Sequence, residues 1–139
     1  YDGRSSVKSM ECYDPVTNAW TNLAPMSVAR YNLAAAALDG RLYAAGGHDG
    51  NTYLPTYLPT VECYDISTNT WSTVAPMTTA RFGLGLVVMD GKLCAIGGQS
   101  ARGRSSRLSS VECYDPTSNT WALSDAMITA RCAAGAVVV

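Results

Sequence analysis

The tetrapeptide Glu-Cys-Tyr-Asp stands at residues 11–14, 62–65 and 112–115, and its surroundings repeat with it. Asn-x-Trp follows each copy and ends at Trp20, Trp71 and Trp121. Then come Met26, Met77 and Met127, and after each an Ala-Arg pair ending at Arg30, Arg81 and Arg131. Asp-Gly recurs at 39–40 and 90–91, and Gly-Gly at 46–47 and 97–98. The period is 51 residues, then 50. A period of this size marks a row of similar supersecondary units, each buried by its neighbours.

Within one period the text reads as four short strands: a over about 32–38, b over about 41–45, c over about 61–65 and d over about 71–75. Asp39-Gly40 and Asp90-Gly91 are two-residue hairpin signals between a and b. Turn-forming residues at Pro15–Asn18, Ile66–Asn69 and Pro116–Asn119 separate c from d. These are antiparallel meanders. Strand a, Leu33-Ala34-Ala35-Ala36-Ala37-Leu38 or Gly83-Leu84-Gly85-Leu86-Val87-Val88, is apolar on both faces and built of small residues, so it is expected to be innermost and covered on both sides. Four-stranded units of about 50 residues with the first strand nearest an axis form an all-β propeller.

Asp-Gly, Gly-Gly, Val-Glu-Cys-Tyr-Asp, Asn-x-Trp, Met and Ala-Arg, in that order, resemble the kelch repeat. The Val-Glu-Cys-Tyr-Asp and Ala-Pro-Met variants are most similar to the kelch-like adaptors, which carry a BTB domain and six repeats. The resemblance implies a propeller that captures a substrate for a cullin-based ubiquitin ligase, or, as the alternative, a cytoskeletal scaffold that binds actin. Aligned on the repeat, residues 1–27 are strands c and d of one blade, 28–77 and 78–127 are full blades, and 128–139 is the inner strand of a further one. An open arc exposes blade faces, so either a longer protein or association with copies of itself or with the rest of a ring is expected; two arcs would supply about 22 strands, near the 24 of a six-bladed ring.

Ten basic and eleven acidic residues give a net charge of −1, which offers no field for nucleic acid or an anionic membrane surface. No run of about 18 apolar residues is present to span a bilayer. Five cysteines lie without a C-x-x-C pair, so no metal-finger spacing occurs. Cys12, Cys63 and Cys113 occupy equivalent places in successive blades, about 10 Å apart as stacked sheets, too far for a disulfide. Unpaired, buried thiols and a cytoplasmic location are expected. Catalysis is not expected, nor any cofactor. A kelch-type oxidase, the remote alternative, would need several copper ligands, and His48 is the sole histidine.

In a meander the a–b and c–d turns share one face of the disc, the b–c and d–a loops the other. The first set is nearly constant and the second varies, so specificity belongs to the second. Its b–c members are 1–9, 48–60 and 99–110. The second contains Tyr-Leu-Pro-Thr twice in succession, and the third carries Arg102, Arg104 and Arg107, which suit an acidic or phosphorylated partner. The kelch resemblance implies that ligands meet the residue after Gly-Gly, His48 or Gln99, and the region of the Ala-Arg arginines Arg30, Arg81 and Arg131; because these arginines recur in every copy, a scaffold role, closing strand a onto its neighbour, is expected at least as much. Tyr31 and Phe82, which follow two of those arginines, are aromatic at a rim. With Asp49, Asn51 and Tyr53 of the second loop they complete the candidate protein-binding set. The recurring tryptophans, Tyr13, Tyr64 and Tyr114 read as packing residues, and Glu11, Glu62 and Glu112 as acceptors for backbone or arginine donors.

Overall fold

The computed structural model describes residues 5–51 and 53–138; the first part of loop one, Tyr1–Arg4, lies outside them. Among the described residues ten strands are present: β1 (Met10–Asp14), β2 (Ala19–Leu23), β3 (Ala34–Leu38), β4 (Arg41–Ala45), β5 (Val61–Asp65), β6 (Thr70–Val74), β7 (Gly85–Met89), β8 (Lys92–Ile96), β9 (Val111–Asp115) and β10 (Thr120–Ser124). They form a two-stranded sheet β1-β2 and two antiparallel meanders, β3-β4-β5-β6 and β7-β8-β9-β10. These are the expected half blade and two full blades.

The turns carry the repeat's chemistry. Asp39 and Gly40 both take positive φ, 50° and 72°, as do Asp90 and Gly91, 51° and 70°. That is the backbone a tight primed hairpin requires. Between c and d, the carboxylates of Asp14, Asp65 and Asp115 accept the amides two residues on, at 2.8, 2.9 and 2.9 Å. Asn18, Asn69 and Asn119 then close those turns in the left-handed region.

Each of these asparagines also serves the blade. The Tyr64 hydroxyl donates to Asn69 Oδ1 at 2.8 Å, and the same oxygen accepts the Ala24 amide from the preceding blade at 2.9 Å. Trp71 Nε1 donates to the Ala24 carbonyl at 2.8 Å. One unit therefore holds both backbone polar groups of a neighbour's residue, and Asn119 and Trp121 treat Ala75 in the same way. The core lies between the two full blades, where Tyr43, Val61, Cys63, Met77, Leu84, Leu93 and Tyr114 are buried together.

Three expectations change. Strand a is not covered on both sides: β3 packs on β7 on one side, but Ala35 and Ala37 are exposed, because the half blade contributes only outer strands on the other side. The stretch 132–138 lies along β7, with the Ala133 amide on the Gly83 carbonyl at 2.7 Å, yet forms no strand ladder among the described residues. Third, Cys113 is not a free thiol. It is bonded to Cys94, with the Cα atoms 4.1 Å apart. The 10 Å spacing of stacked sheets applies between blades, whereas Cys94 and Cys113 face each other across β8 and β9 within one blade, where directly opposed residues approach to about 4.5 Å. Cys63 is free and buried as expected; Cys12 is free but exposed.

Candidate functional site

The Ala-Arg arginines belong to the scaffold. Arg30 is buried, 2% exposed, and Arg81 is fully buried. Arg30 Nη2 lies 3.0 Å from Glu62 Oε1, while its Nη1 donates to the carbonyls of Gly46 and Thr60 at 2.9 and 2.8 Å. Arg81 repeats the set on Glu112, Gly97 and Ser110. Each carboxylate also accepts backbone amides of the connecting segment, Ser27 and Val28 on Glu62, Thr78 and Thr79 on Glu112. The d–a connection is thus clamped onto the c strand of the blade it enters. Burial would raise the carboxyl pKa of Glu62 and Glu112, but these hydrogen bonds and the guanidinium outweigh it and leave both below the ordinary value. Neither Arg30 nor Arg81 presents its guanidinium to a partner. Arg131, at the equivalent position, is exposed.

The clamp places the following residue at the rim. Tyr31 and His48 exchange two backbone hydrogen bonds of 2.9 Å, and Phe82 and Gln99 exchange two of 3.0 Å, so each d–a connection is stitched to the b–c loop of its own blade. Gly47 makes the first approach possible: its φ is +91°, and a Cβ there would stand 2.7 Å from the Tyr31 carbonyl.

From this frame four rings meet. His48 sits edge-on to Tyr31, with centroids 4.9 Å apart, and to Phe82 at 5.5 Å. Tyr57 stacks on Phe82 at 5.0 Å with the planes 22° apart. His48 Nδ1 accepts the Gly50 amide at 3.0 Å, so the neutral ring carries its proton on Nε2. Burial, and then the positive charge of Arg102, lower the His48 pKa against the opposing pull of Asp49. The rings, with Asn32, Gly50, Asn51, Pro55 and Arg102, line an open cavity of about 390 Å³. It is large enough for one or two side chains of a bound segment.

Of the residues expected at the site, the cavity gathers Tyr31, His48, Asn51, Phe82 and Arg102. Asp49 instead orders its loop, its Oδ1 accepting the amides of Asn51 and Thr56, each at 3.0 Å. The Gln99 amide turns into its own loop, donating to Ser106 Oγ at 3.0 Å. Arg104 begins a short 3₁₀ turn, Arg104–Ser106, outside the cavity lining. Tyr53 is 90% exposed at the loop tip. Asn32, Gly50, Pro55 and Tyr57 were missed, and of these Tyr57 supplies a ring. It pairs with His48, as Arg107 pairs with Gln99, and counting back from strand c in both loops reveals that equivalence.

The Kelch motif matches residues 1–27, 29–78 and 80–123, which is nearly the whole chain. The chain belongs to the kelch-repeat family. Its kelch repeats are 40% identical to human Kelch-like protein 28 over 96 residues, 66% of this chain and 17% of that protein. They are 45% identical to zebrafish (Danio rerio) Kelch-like ECH-associated protein 1A over 96 residues, 69% of this chain and 16% of that protein. The chain therefore spans about a sixth of these relatives. The solved structure of YjhT superposes on this kelch arc with a TM-score of 0.72 at 16% identity, covering 89% of this chain and 52% of that one, a likeness of fold alone.

Proposed function

We propose that this kelch arc is a protein-binding module, the substrate-recognition part of a BTB-linked adaptor for a cullin-based ubiquitin ligase, and that its partner docks on the b–c and d–a loop face. The observation that carries the reading is the aromatic cavity at that face. Its four rings come from the connections that vary between repeats, while the buried Arg-Glu clamps that set their positions are constant. A segment with an apolar side chain for the rings and a carboxylate or phosphate for Arg102 fits this chemistry. The similarity to kelch-like proteins supports the adaptor role. The module acts without catalysis of its own.

The test is reconstitution with the protein in its full length. Proteins it captures should gain ubiquitin when a cullin ligase is added and should stay unmodified when the kelch face is blocked. Co-sedimentation with filamentous actin, with no ubiquitin transfer, would replace this reading with the cytoskeletal one. We propose a cytoplasmic location, where glutathione would keep Cys94 and Cys113 reduced. Among the described residues no helix is long and apolar enough to cross a membrane.

The open edges belong to the same proposal. Glu11 and Arg131 hold the positions of the clamp pairs, and both are exposed; Trp20 is 67% exposed, whereas Trp71 and Trp121 are half-buried. We infer that blades of the same design cover these edges, supplied for the isolated 139-residue chain by a second copy. A 14.7 kDa particle in light scattering at high concentration would contradict the second-copy arm.

A further inference from the structure

The doubled Tyr-Leu-Pro-Thr is used in two different ways. The second copy is scaffold: Tyr57 pairs with His48 and stacks on Phe82, Leu58 is buried, and the Pro59 carbonyl accepts the Met77 amide at 2.9 Å. Leu108 and Ser109 of the next loop accept from Arg131 and Met127 in the same pattern. In the first copy Thr56 repeats a scaffold contact, its carbonyl accepting the Asp49 amide at 3.1 Å as that of Ser106 accepts from Ser100, but Tyr53 and Leu54 take no part in that pattern. Tyr53 is 90% exposed and Leu54 81%.

That exposed pair is nevertheless held in place. Asn51 Oδ1 accepts the amides of Tyr53 and Leu54 at 3.0 and 3.1 Å, and Asp49 Oδ1 closes the loop on the Thr56 amide. Pro55, next in the chain, lines the aromatic cavity. A preorganised aromatic and aliphatic pair beside a concave site has the character of an interface anchor, because little ordering entropy remains to be lost on docking. Asp49, the sole carboxylate of the second and third b–c loops, accepts two amides; the third loop carries the exposed Arg104 and Arg107 and brings Arg102 to the cavity that Pro55 also lines.

We propose that residues 53–56 are an inserted docking tip: Tyr53 and Leu54 enter an apolar cleft, bordered by acidic groups, on the same protein whose segment fills the cavity. The proposal rests on the loop-face reading above. Removing one copy leaves four residues between His48 and Tyr57, the number that separates Tyr1 from Ser6 in the aligned first loop, with Gly50-Asn51 at the centre as a two-residue turn. Deletion of either copy gives one and the same sequence, so the result does not depend on which is removed.

The experiment places the photo-crosslinking residue p-benzoylphenylalanine at position 53, and separately at position 31, of the full-length protein in an extract of its source cells, and maps the crosslinked peptides. Both probes should mark one foreign protein, position 53 reaching an apolar segment flanked by acidic residues, with a yield that falls severalfold in high salt. The four-residue deletion should keep its unfolding temperature within about 2 °C and lower the position-31 crosslink about tenfold. If position 31 captures a foreign protein while position 53 marks only its own chain, a second copy or nothing, the tip proposal falls and the loop-face reading stands. If neither position captures, both fall. A deletion that destabilises as much as Leu58→Ala overturns the assignment of the first copy as an insertion.

Discussion

Arg30 reaches Glu62, 32 residues later in the chain, and their buried contact of 3.0 Å fastens the connection from one blade onto the third strand of the next. Removing one member of such a pair leaves the other charged and buried. Glu62→Ala should cost about 3–5 kcal/mol in urea unfolding, whereas loss of the exposed Arg41–Asp65 pair, 3.7 Å apart, should cost under about 1 kcal/mol. Equal effects would place the clamp on the surface in energetic terms.

The same carboxylates set an acid limit. Burial pushes the pKa of Glu62 and Glu112 up, but hydrogen bonds from Ser27 and Arg30, and from Thr78 and Arg81, bring each below its ordinary value. A carboxyl whose pKa is lower folded than unfolded stabilises fully above its unfolded value, about 4.3, and loses that contribution as pH falls through the folded value. Asp115, held down to about 2 by the Thr117 hydroxyl and amide, extends the same window downward. The urea midpoint should decline slightly from about pH 7 to 5, because His48, with its folded pKa below the ordinary value, takes up a proton more readily when unfolded, and should fall more steeply below about 4.3, with a shallower acid fall in Glu62→Gln.

Two glycines separate backbone strain from packing. Gly40 and Gly46 have similar positive φ, 72° and 68°, but a Cβ meets nothing within 4 Å at Gly40 and stands 2.4 Å from the Arg81 carbonyl at Gly46. Both alanine variants carry the left-handed penalty of about 1–2 kcal/mol, and only Gly46→Ala adds a clash at the blade junction. Thermal unfolding should therefore fall much further for Gly46→Ala than for Gly40→Ala. Equal shifts would contradict the close approach of the two blades.

The thiols give a direct chemical count. Under oxidising conditions three of the five cysteines, Cys12, Cys63 and Cys132, should label, with exposed Cys12 fast and buried Cys63 slow. After reduction and unfolding all five should label. Five labels on the oxidised protein without reductant would contradict the Cys94–Cys113 bond.

The strands were legible because turn chemistry punctuates them: Asp39-Gly40 and the Asp65–Asn69 turn fix strands b and c at the expected 41–45 and 61–65. Strand a begins at Ala34, later than expected, because Asn32 adopts φ 52° beside Gly83 and Tyr31 is drawn away to His48. Glu62 and Glu112 were read as hydrogen-bond acceptors, and they are; Glu11, read in the same way, is exposed. Tyr31, His48 and Phe82 could be picked out as differing residues at constant places. Tyr57 could not, since a doubled tetrapeptide hides which copy continues the scaffold. The burial of Arg30 and Arg81 was invisible for a similar reason, because recurrence alone does not separate a clamp from a contact. The disulfide was overlooked because distances between blades were considered and the distance across neighbouring strands was not.

The loop face is tested most directly by the double variant Tyr31→Ala/Phe82→Ala in the full-length protein, compared with wild type for capture of its partner while unfolding temperature is followed on the same samples. The account predicts at least about a tenfold loss of capture, as expected for hot-spot aromatics, with a cooperative transition retained because neither ring belongs to the buried cluster between the blades. Wild-type capture by the folded double variant, or loss of capture only on altering the opposite face at Asp39-Gly40 and Asp90-Gly91, would contradict it.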